Sequence, residues 1–139
     1  MSGQEGKASD ALAELRARAE GEPIASFLKM RLLELSPGYA KVAMKVRPEH
    51  QNFHGMTFGG IVMAIADQAF GYAVNSVDFP SVASQFNTHF IAATRVGDEL
   101  IAEGRLVKSG KRVSIAEVTV TNQEGKLIAK ATGTTIPVS

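Results

Sequence analysis

The chain has 139 residues, and its 15 basic and 14 acidic side chains give a formal net charge of +1, so no overall field favours nucleic acid or a membrane surface. Its length suits one domain with a single hydrophobic core. It has no cysteine, which excludes disulfides, thiolate metal sites and cysteine nucleophiles.

We expect no export signal in the N-terminal residues. Residues 1–9 are small and polar, which predicts a flexible segment before a single domain at residues 10–139. They lack the basic and then apolar plan of a signal peptide, and no apolar run in the chain reaches roughly 18 residues without a charge. We therefore expect a cytoplasmic protein with no membrane partner.

Two helices and a hairpin are predicted in the first third of the chain. One helix begins at Ser9 or Asp10 and ends at Gly21, and Pro23 suits the first position of a second helix. The segment "RLLELSPGYAKVAMKV" predicts two strands around a turn at residues 36–38.

The stretch from residue 58 to about 76 predicts the longest helix. It is apolar on nearly every side, which is typical of a helix wrapped by other structure. It also contains one acid, Asp67. Because a buried carboxylate without a partner is costly or takes up a proton, Asp67 is either paired or functional.

Four strands follow, separated by turns at Gly97, at Ser109-Gly110 and at Glu124-Gly125. Their short connections predict an antiparallel meander. The whole order of helix, hairpin, long helix and four strands predicts an α+β domain in which a curved sheet wraps around the central helix.

The entry to the central helix, "HQNFHGMTFGGIVMAIAD", carries a spaced motif. Asn52, Gly55, Gly59, Gly60 and Asp67 stand in the register of the hotdog-fold acyl-CoA thioesterases, and the chain resembles their phenylacetyl-CoA thioesterase-like branch. The likeness covers roughly residues 22–136. It implies a hotdog fold, hydrolysis of an acyl-CoA to free acid and CoA, and no metal or redox cofactor, with coenzyme A present only as part of the substrate.

Thioester hydrolysis needs a donor for the carbonyl oxygen and a base or nucleophile near the carbonyl carbon. Gly59 and Gly60 open the helix, where free backbone N–H groups and the positive end of the dipole collect, so the Gly59 N–H is the predicted oxyanion donor. Asp67 is the predicted base or nucleophile, and the sequence leaves both roles open. By its match to the family motif, Asn52 should hydrogen-bond near the carbonyl or the attacking water.

Gly59 and Asp67 are eight residues apart, which places them about 12 Å apart along a helix axis. They cannot serve one carbonyl within one chain. Two chains packed in opposite directions would bring them together, which predicts a homodimer with two shared sites, as the resemblance also implies. We expect a dimer of dimers by analogy. Gln68, Asn52 or backbone groups of the second chain would then satisfy Asp67.

Two departures from the family pattern affect the site. The histidine that precedes the two glycines in the family is Phe58 here. Ala83 stands where some relatives hold the water with a hydroxyl, and Ser84 beside it should point to the opposite face of its strand. The loss of the histidine keeps open a non-catalytic acyl-CoA-binding hotdog domain, and it argues against a hotdog dehydratase.

Further ligand contacts are predicted around the site. The predicted substrate-binding residues are His54, Phe58, Gly60 and Ser84. The basic turn "VKSGKRVSI" is either a solvated hairpin or, as the resemblance implies, a contact for the phosphates of coenzyme A through Lys108, Lys111 and Arg112.

The histidines do not predict a metal site. His50 and His54 lie four residues apart in a loop with no further ligand cluster, which makes a poor zinc site. We predict solvated loop histidines there, with His54 the one that can line the pocket. His89 is predicted to be structural.

Overall fold

The structure is a computed structural model that describes the backbone of residues 3–138 and the side chains of residues 10–138. The elements, in chain order, are α1 (Gly3–Ala19), α2 (Pro23–Leu28), β1 (Arg31–Ser36), β2 (Tyr39–Lys45), a 3₁₀ turn (Pro48–His50), α3 (Gly59–Asn75), β3 (Ser81–Phe90), β4 (Glu99–Lys108), β5 (Ser114–Thr121) and β6 (Leu127–Pro137). Within these described residues, no helix is long and apolar enough to cross a membrane.

The six strands form one antiparallel sheet in the order β1-β2-β4-β5-β6-β3. The predicted hairpin of β1 and β2 is confirmed. The predicted meander is correct for β4, β5 and β6 but wrong for β3, which pairs with β6. Turn signals report where strands end and not which strands pair. Here residues 91–98 lead from β3, at one edge of the sheet, to β4, which lies beside β2.

The sheet curves around α3, and glycines in the strands allow sheet and helix to approach closely. A Cβ placed on Gly104 of β4 would lie 2.5 Å from the backbone oxygen of Ala69 and 3.2 Å from the Cβ of Ala73. On β6, a Cβ on Gly133 would overlap the ring of Phe70. The buried face of α3 therefore packs directly on the backbone of the sheet, which fixes the direction of the helix.

One side of α3 is left uncovered by the other described elements. Met63 and Asp67 are exposed, Gly59 and Gly60 are partly exposed at the helix start, and a Cβ on Gly71 would meet no atom within 4 Å. We call these five residues the exposed strip. They follow one another at near-helical spacing, so they lie along one side of α3.

The N-terminal helices pack against this domain. α1 begins at Gly3, earlier than the Ser9 or Asp10 that the sequence predicted, and it buries Ala11 and Leu15. α2 begins at Pro23 as predicted. The flexible segment at residues 1–9 and the single domain at residues 10–139 stay predictions.

Candidate active site

The start of α3 presents unused backbone donors. Phe58 is the N-cap residue and makes no side-chain hydrogen bond to the helix. The N–H of Ile61 donates to the Phe58 oxygen at 2.9 Å, whereas the N–H groups of Gly59 and Gly60 have no acceptor among the described residues. Two free donors thus collect at the positive end of the helix dipole.

Two phenylalanine rings flank these donors. A Cβ on Gly59 would lie 3.3 Å from Cζ of Phe90, and a Cβ on Gly60 would lie 2.8 Å from Cδ2 of Phe58. Both rings remain open to solvent, with exposed fractions of 57% for Phe58 and 56% for Phe90. Sequence reasoning missed Phe90, because it ends a strand far along the chain and no motif links it to the glycines.

Asn52 orders the loop that leads into the helix. Its Oδ1 accepts hydrogen bonds from the N–H groups of His54 (2.9 Å) and Met56 (3.1 Å), and its own N–H donates to the Met56 oxygen (2.7 Å). Its Nδ2 has no acceptor in the part of the chain that the structure describes. The side chain thus shapes the loop with one atom and leaves an amide donor for a ligand.

His50 anchors the same loop. Its Nδ1 accepts the Arg47 N–H at 2.9 Å, and its carbonyl oxygen accepts the Phe58 N–H at 2.8 Å. The prediction of a solvated His50 was wrong, since only 4% of the residue is exposed. Burial, followed by the nearby charge of Arg47, lowers the pKa of His50. The loop sequence gave no sign of this, because the partner is a backbone group.

The other two histidines are open to solvent. His54 is exposed and its ring centre lies 4.2 Å from that of Phe53. His89 is exposed and makes no side-chain hydrogen bond to any described residue, so a structural role has no support within one chain.

Asp67 lies on the exposed strip. No hydrogen bond or ion pair joins its carboxylate to any residue from 10 to 138. Although the side chain is exposed in the single chain, the protein around it removes part of its hydration, and this desolvation raises the pKa of Asp67.

The neighbouring Gln68 is engaged elsewhere and does not satisfy Asp67 within one chain, which leaves Asn52 or backbone groups of a second chain among the predicted partners. Its Nε2 donates to Glu22 at 2.5 Å and to the Tyr72 hydroxyl at 2.9 Å. Tyr72 donates in turn to Glu22. Desolvation and then the hydrogen bond to Glu22 raise the pKa of Tyr72. The network ties the segment between α1 and α2 to the central helix.

Ser84 lies at an irregularity of β3. The register with β6 shifts between Ala83 and Gln85, which marks a bulge. Simple alternation does not hold across a bulge, so the argument that placed Ser84 and Ala83 on opposite faces fails, and both are exposed. The Ser84 hydroxyl donates to the Thr134 oxygen at 3.3 Å.

The basic turn lies at the opposite end of α3 from the glycines. Asp78, just after the helix, accepts hydrogen bonds at 2.7 Å from the hydroxyls of Ser109 and Ser114 and so holds the turn there. Because the 17 residues of α3 span about 25 Å, one chain does not bring the turn to Gly59. Lys108, Lys111 and Arg112, the basic residues of the turn, are exposed.

A cavity of about 850 Å³ adjoins the basic turn. Its charged lining residues are Asp10, Glu14 and Asp78 against Lys111. Because the carboxylates outnumber the ammonium group, this cavity is a poor place for the phosphates of a nucleotide. Any phosphate contact by the turn would use its solvent-facing side.

Comparison with known proteins identifies the protein family to which the chain belongs. Residues 54–129 match the model of the thioesterase superfamily. A putative esterase of Archaeoglobus fulgidus is 35% identical over 86% of this chain and 78% of its own length. The acyl-coenzyme A thioesterase PaaI of Escherichia coli is 31% identical over 81% of each chain.

Solved structures agree with the sequence matches. The structure of E. coli PaaI superposes with a TM-score of 0.89 at 28% identity and covers 96% of both chains. A Streptococcus mutans protein bound to acetyl CoA superposes with a TM-score of 0.76 at 29% identity, covering 79% of this chain and 89% of its own. The chain belongs to the thioesterase superfamily, in its PaaI-like hotdog branch. The predicted fold and the predicted enzyme class, a thioester hydrolase, are confirmed.

Proposed function

We propose that the chain hydrolyses acyl-CoA thioesters in sites shared between two copies of itself. The observation that carries the proposal is the exposed strip, in which the N–H donors of Gly59 and Gly60, and the carboxylate of Asp67 about two turns further on, have no partner among the described residues. Packing two strips in opposite directions places the acid of each copy beside the donors of the other. The acyl-CoA thioesterase name of PaaI and the acetyl CoA bound to the S. mutans protein support this substrate class.

In the proposed reaction, the Gly59 N–H donates a hydrogen bond to the thioester oxygen as negative charge develops on it, and the N–H of Gly60 adjoins it. Asp67 of the second copy takes a proton from water as the water attacks the carbonyl carbon. Alternatively Asp67 attacks first, and water then hydrolyses the mixed anhydride. In both routes the C–S bond breaks and CoA leaves as its thiol after protonation. The raised pKa of Asp67 makes it a stronger base than an ordinary carboxylate.

The remaining residues surround the same carbonyl. The free Nδ2 of Asn52 donates to the carbonyl or to the attacking water, and His54, Phe58, Gly60 and Ser84 form the substrate-binding surface. Antiparallel packing also carries the basic turn of one copy toward the helix start of the other, where Lys108, Lys111 and Arg112 contact the phosphates of CoA. Assembly into a dimer of dimers and residence in the cytoplasm stay predictions.

A non-catalytic acyl-CoA-binding domain is the second candidate. It is favoured by one observation, the ring of Phe58 standing where the resembled family has histidine and packing against Gly60. Binding without turnover would distinguish it from the enzyme.

The first experiment measures release of free thiol from an acyl-CoA panel by the native protein, Asp67→Asn and Glu117→Gln. Loss of a general base or nucleophile costs about 10²- to 10⁴-fold in kcat, so we expect that loss for Asp67→Asn. The exposed Glu117 on β5 supplies the matched control, and its variant should keep native activity. Binding without turnover by all three proteins would favour the binding domain instead.

A second experiment tests the sharing of sites. Asn52→Asp keeps the Oδ1 acceptor that orders the loop and removes the Nδ2 donor. Mixing inactive Asn52→Asp with inactive Asp67→Asn produces mixed dimers in which one of two sites is native. About a quarter of native activity should return if subunits exchange freely. No recovery, with subunit exchange verified, would place both residues in one chain's site.

A further inference from the structure

The phenylalanine pair, Phe58 and Phe90, borders the helix start on two sides. The Phe58 ring occupies the space that a Cβ on Gly60 would need, the Phe90 ring lies 3.3 Å from the position of a Cβ on Gly59, and more than half of each phenylalanine is still exposed. A large aromatic side chain that stays open to water in the single chain has apolar area available for a ligand.

Position 58 departs from the family pattern, which has a histidine there. A histidine there would offer two ring nitrogens to a ligand, whereas phenylalanine offers none. Phe90 supplies a second wall of the same character from the end of β3. One turn further along α3, the exposed Met63 extends the apolar surface. The carbonyl of a bound thioester would use the backbone donors, so the acyl carbons next to it would lie against hydrocarbon.

We propose that Phe58 and Phe90 are specificity residues that select acyl groups without polar substituents on the carbons next to the thioester carbonyl. This inference rests on the proposed function, since it assumes that the carbonyl binds at Gly59. A hydroxyl on these carbons would be buried against the rings without a hydrogen-bond partner, and a carboxylate would lose more hydration still. Saturated and aryl-substituted acyl groups would bind, whereas 3-hydroxyacyl and short dicarboxylic acyl groups would be excluded.

The test compares hexanoyl-CoA with 3-hydroxyhexanoyl-CoA, which have equal chain length and differ by one hydroxyl. Apolar pockets reject an added hydroxyl by about 10- to 100-fold, so we expect kcat/KM of the native protein to favour hexanoyl-CoA by that factor. Phe58→His and Phe90→Gln each place a hydrogen-bonding group at the wall and should reduce the preference at least several-fold. Leu33→His, at an exposed position on β1 at the other edge of the sheet, is the matched control and should keep the native preference.

The outcomes separate this inference from the proposed function. Equal kcat/KM for the two substrates in the native protein, or an unchanged preference in both wall variants, would overturn the inference and leave the thioesterase intact. Absence of all turnover would contradict the proposed function, and the dissociation constants of the two CoA esters with Asp67→Asn would then decide the inference. Tighter binding of hexanoyl-CoA would support it, and equal binding would overturn it. Circular dichroism of each variant verifies folding.

Discussion

At the scale of single residues, Asp67 illustrates a conflict between activity and stability. Its pKa in the folded chain lies above the ordinary value of 3.8 because of desolvation. The proton is therefore held more tightly by the folded than by the unfolded chain. The associated stability is present below pH 3.8 and is lost as pH rises through the folded pKa.

It follows that Asp67→Asn should raise the melting temperature at pH 7 while it removes thiol release. Scanning calorimetry of both proteins between pH 7 and pH 3 checks the direction, and the advantage of the variant should shrink toward the acid end. An unchanged or lower melting temperature at pH 7 would mean that a neighbouring group already satisfies the ionised carboxylate.

His50 should show the opposite dependence on pH. Its pKa is lowered below 6.5 in the folded chain, and the charged groups that face it are Arg47 and Glu49. Its contribution to stability is therefore complete above pH 6.5 and is lost as pH falls through the folded pKa. The proton would occupy the nitrogen that accepts the Arg47 N–H.

We expect the free energy of unfolding in urea to fall more steeply for the native protein than for His50→Gln as pH decreases from 7.5 to 5. A glutamine oxygen can accept the same backbone donor without taking up a proton. Parallel curves for the two proteins would show that acid acts elsewhere in the fold.

The sequence predicted only some of the site residues, because it shows a local motif but not contacts between residues far apart in the chain. Asn52, Gly59 and Asp67 lie within one short motif, so helix geometry placed Gly59 and Asp67 on α3, and the family resemblance placed Asn52 near the site. Phe90 reaches the same glycines from the end of β3, and the burial of His50 depends on a backbone N–H. Contacts of those two kinds leave no periodic trace in the sequence.

At the scale of elements, the close contact of β4 with α3 makes a sharp prediction. Gly104→Ala puts a methyl group 2.5 Å from the Ala69 oxygen, and the helix or strand must move. Overpacking of this kind costs about 1–3 kcal/mol. Urea unfolding of the variant measures the cost.

Gly71→Ala is the matched control, because its new methyl group meets no atom within 4 Å. Alanine in a helix interior is favoured over glycine by about 1 kcal/mol, so this variant should unfold at equal or higher urea concentration unless the strip of a second copy packs on position 71. A loss of stability in both variants would indicate that another chain already covers position 71.

The pairing of elements was less accessible from sequence than the elements themselves. The long apolar run located α3, and alternation and turn residues located the strands. They assigned β3 to the wrong neighbour because they mark where strands end, whereas β3 pairs with β6, a strand far along the chain.

At the scale of the whole molecule, the exposed strip predicts association. Gly71→Arg introduces a long cation into open space of the single chain, so the fold itself should tolerate it. If two strips pack together, the variant should become monomeric in light scattering and lose thiol release, while its circular dichroism spectrum stays native. A native protein that is monomeric and fully active would contradict the shared site.

The separation of Gly59 and Asp67 along one helix has a genetic consequence. A chain that carries both Asn52→Asp and Asp67→Asn would damage each of the two sites when it pairs with an intact chain, because it withholds the amide from one and the carboxylate from the other. Co-expressed in equal amounts, such a chain should act as a dominant inhibitor, leaving only the quarter of dimers that are wholly native.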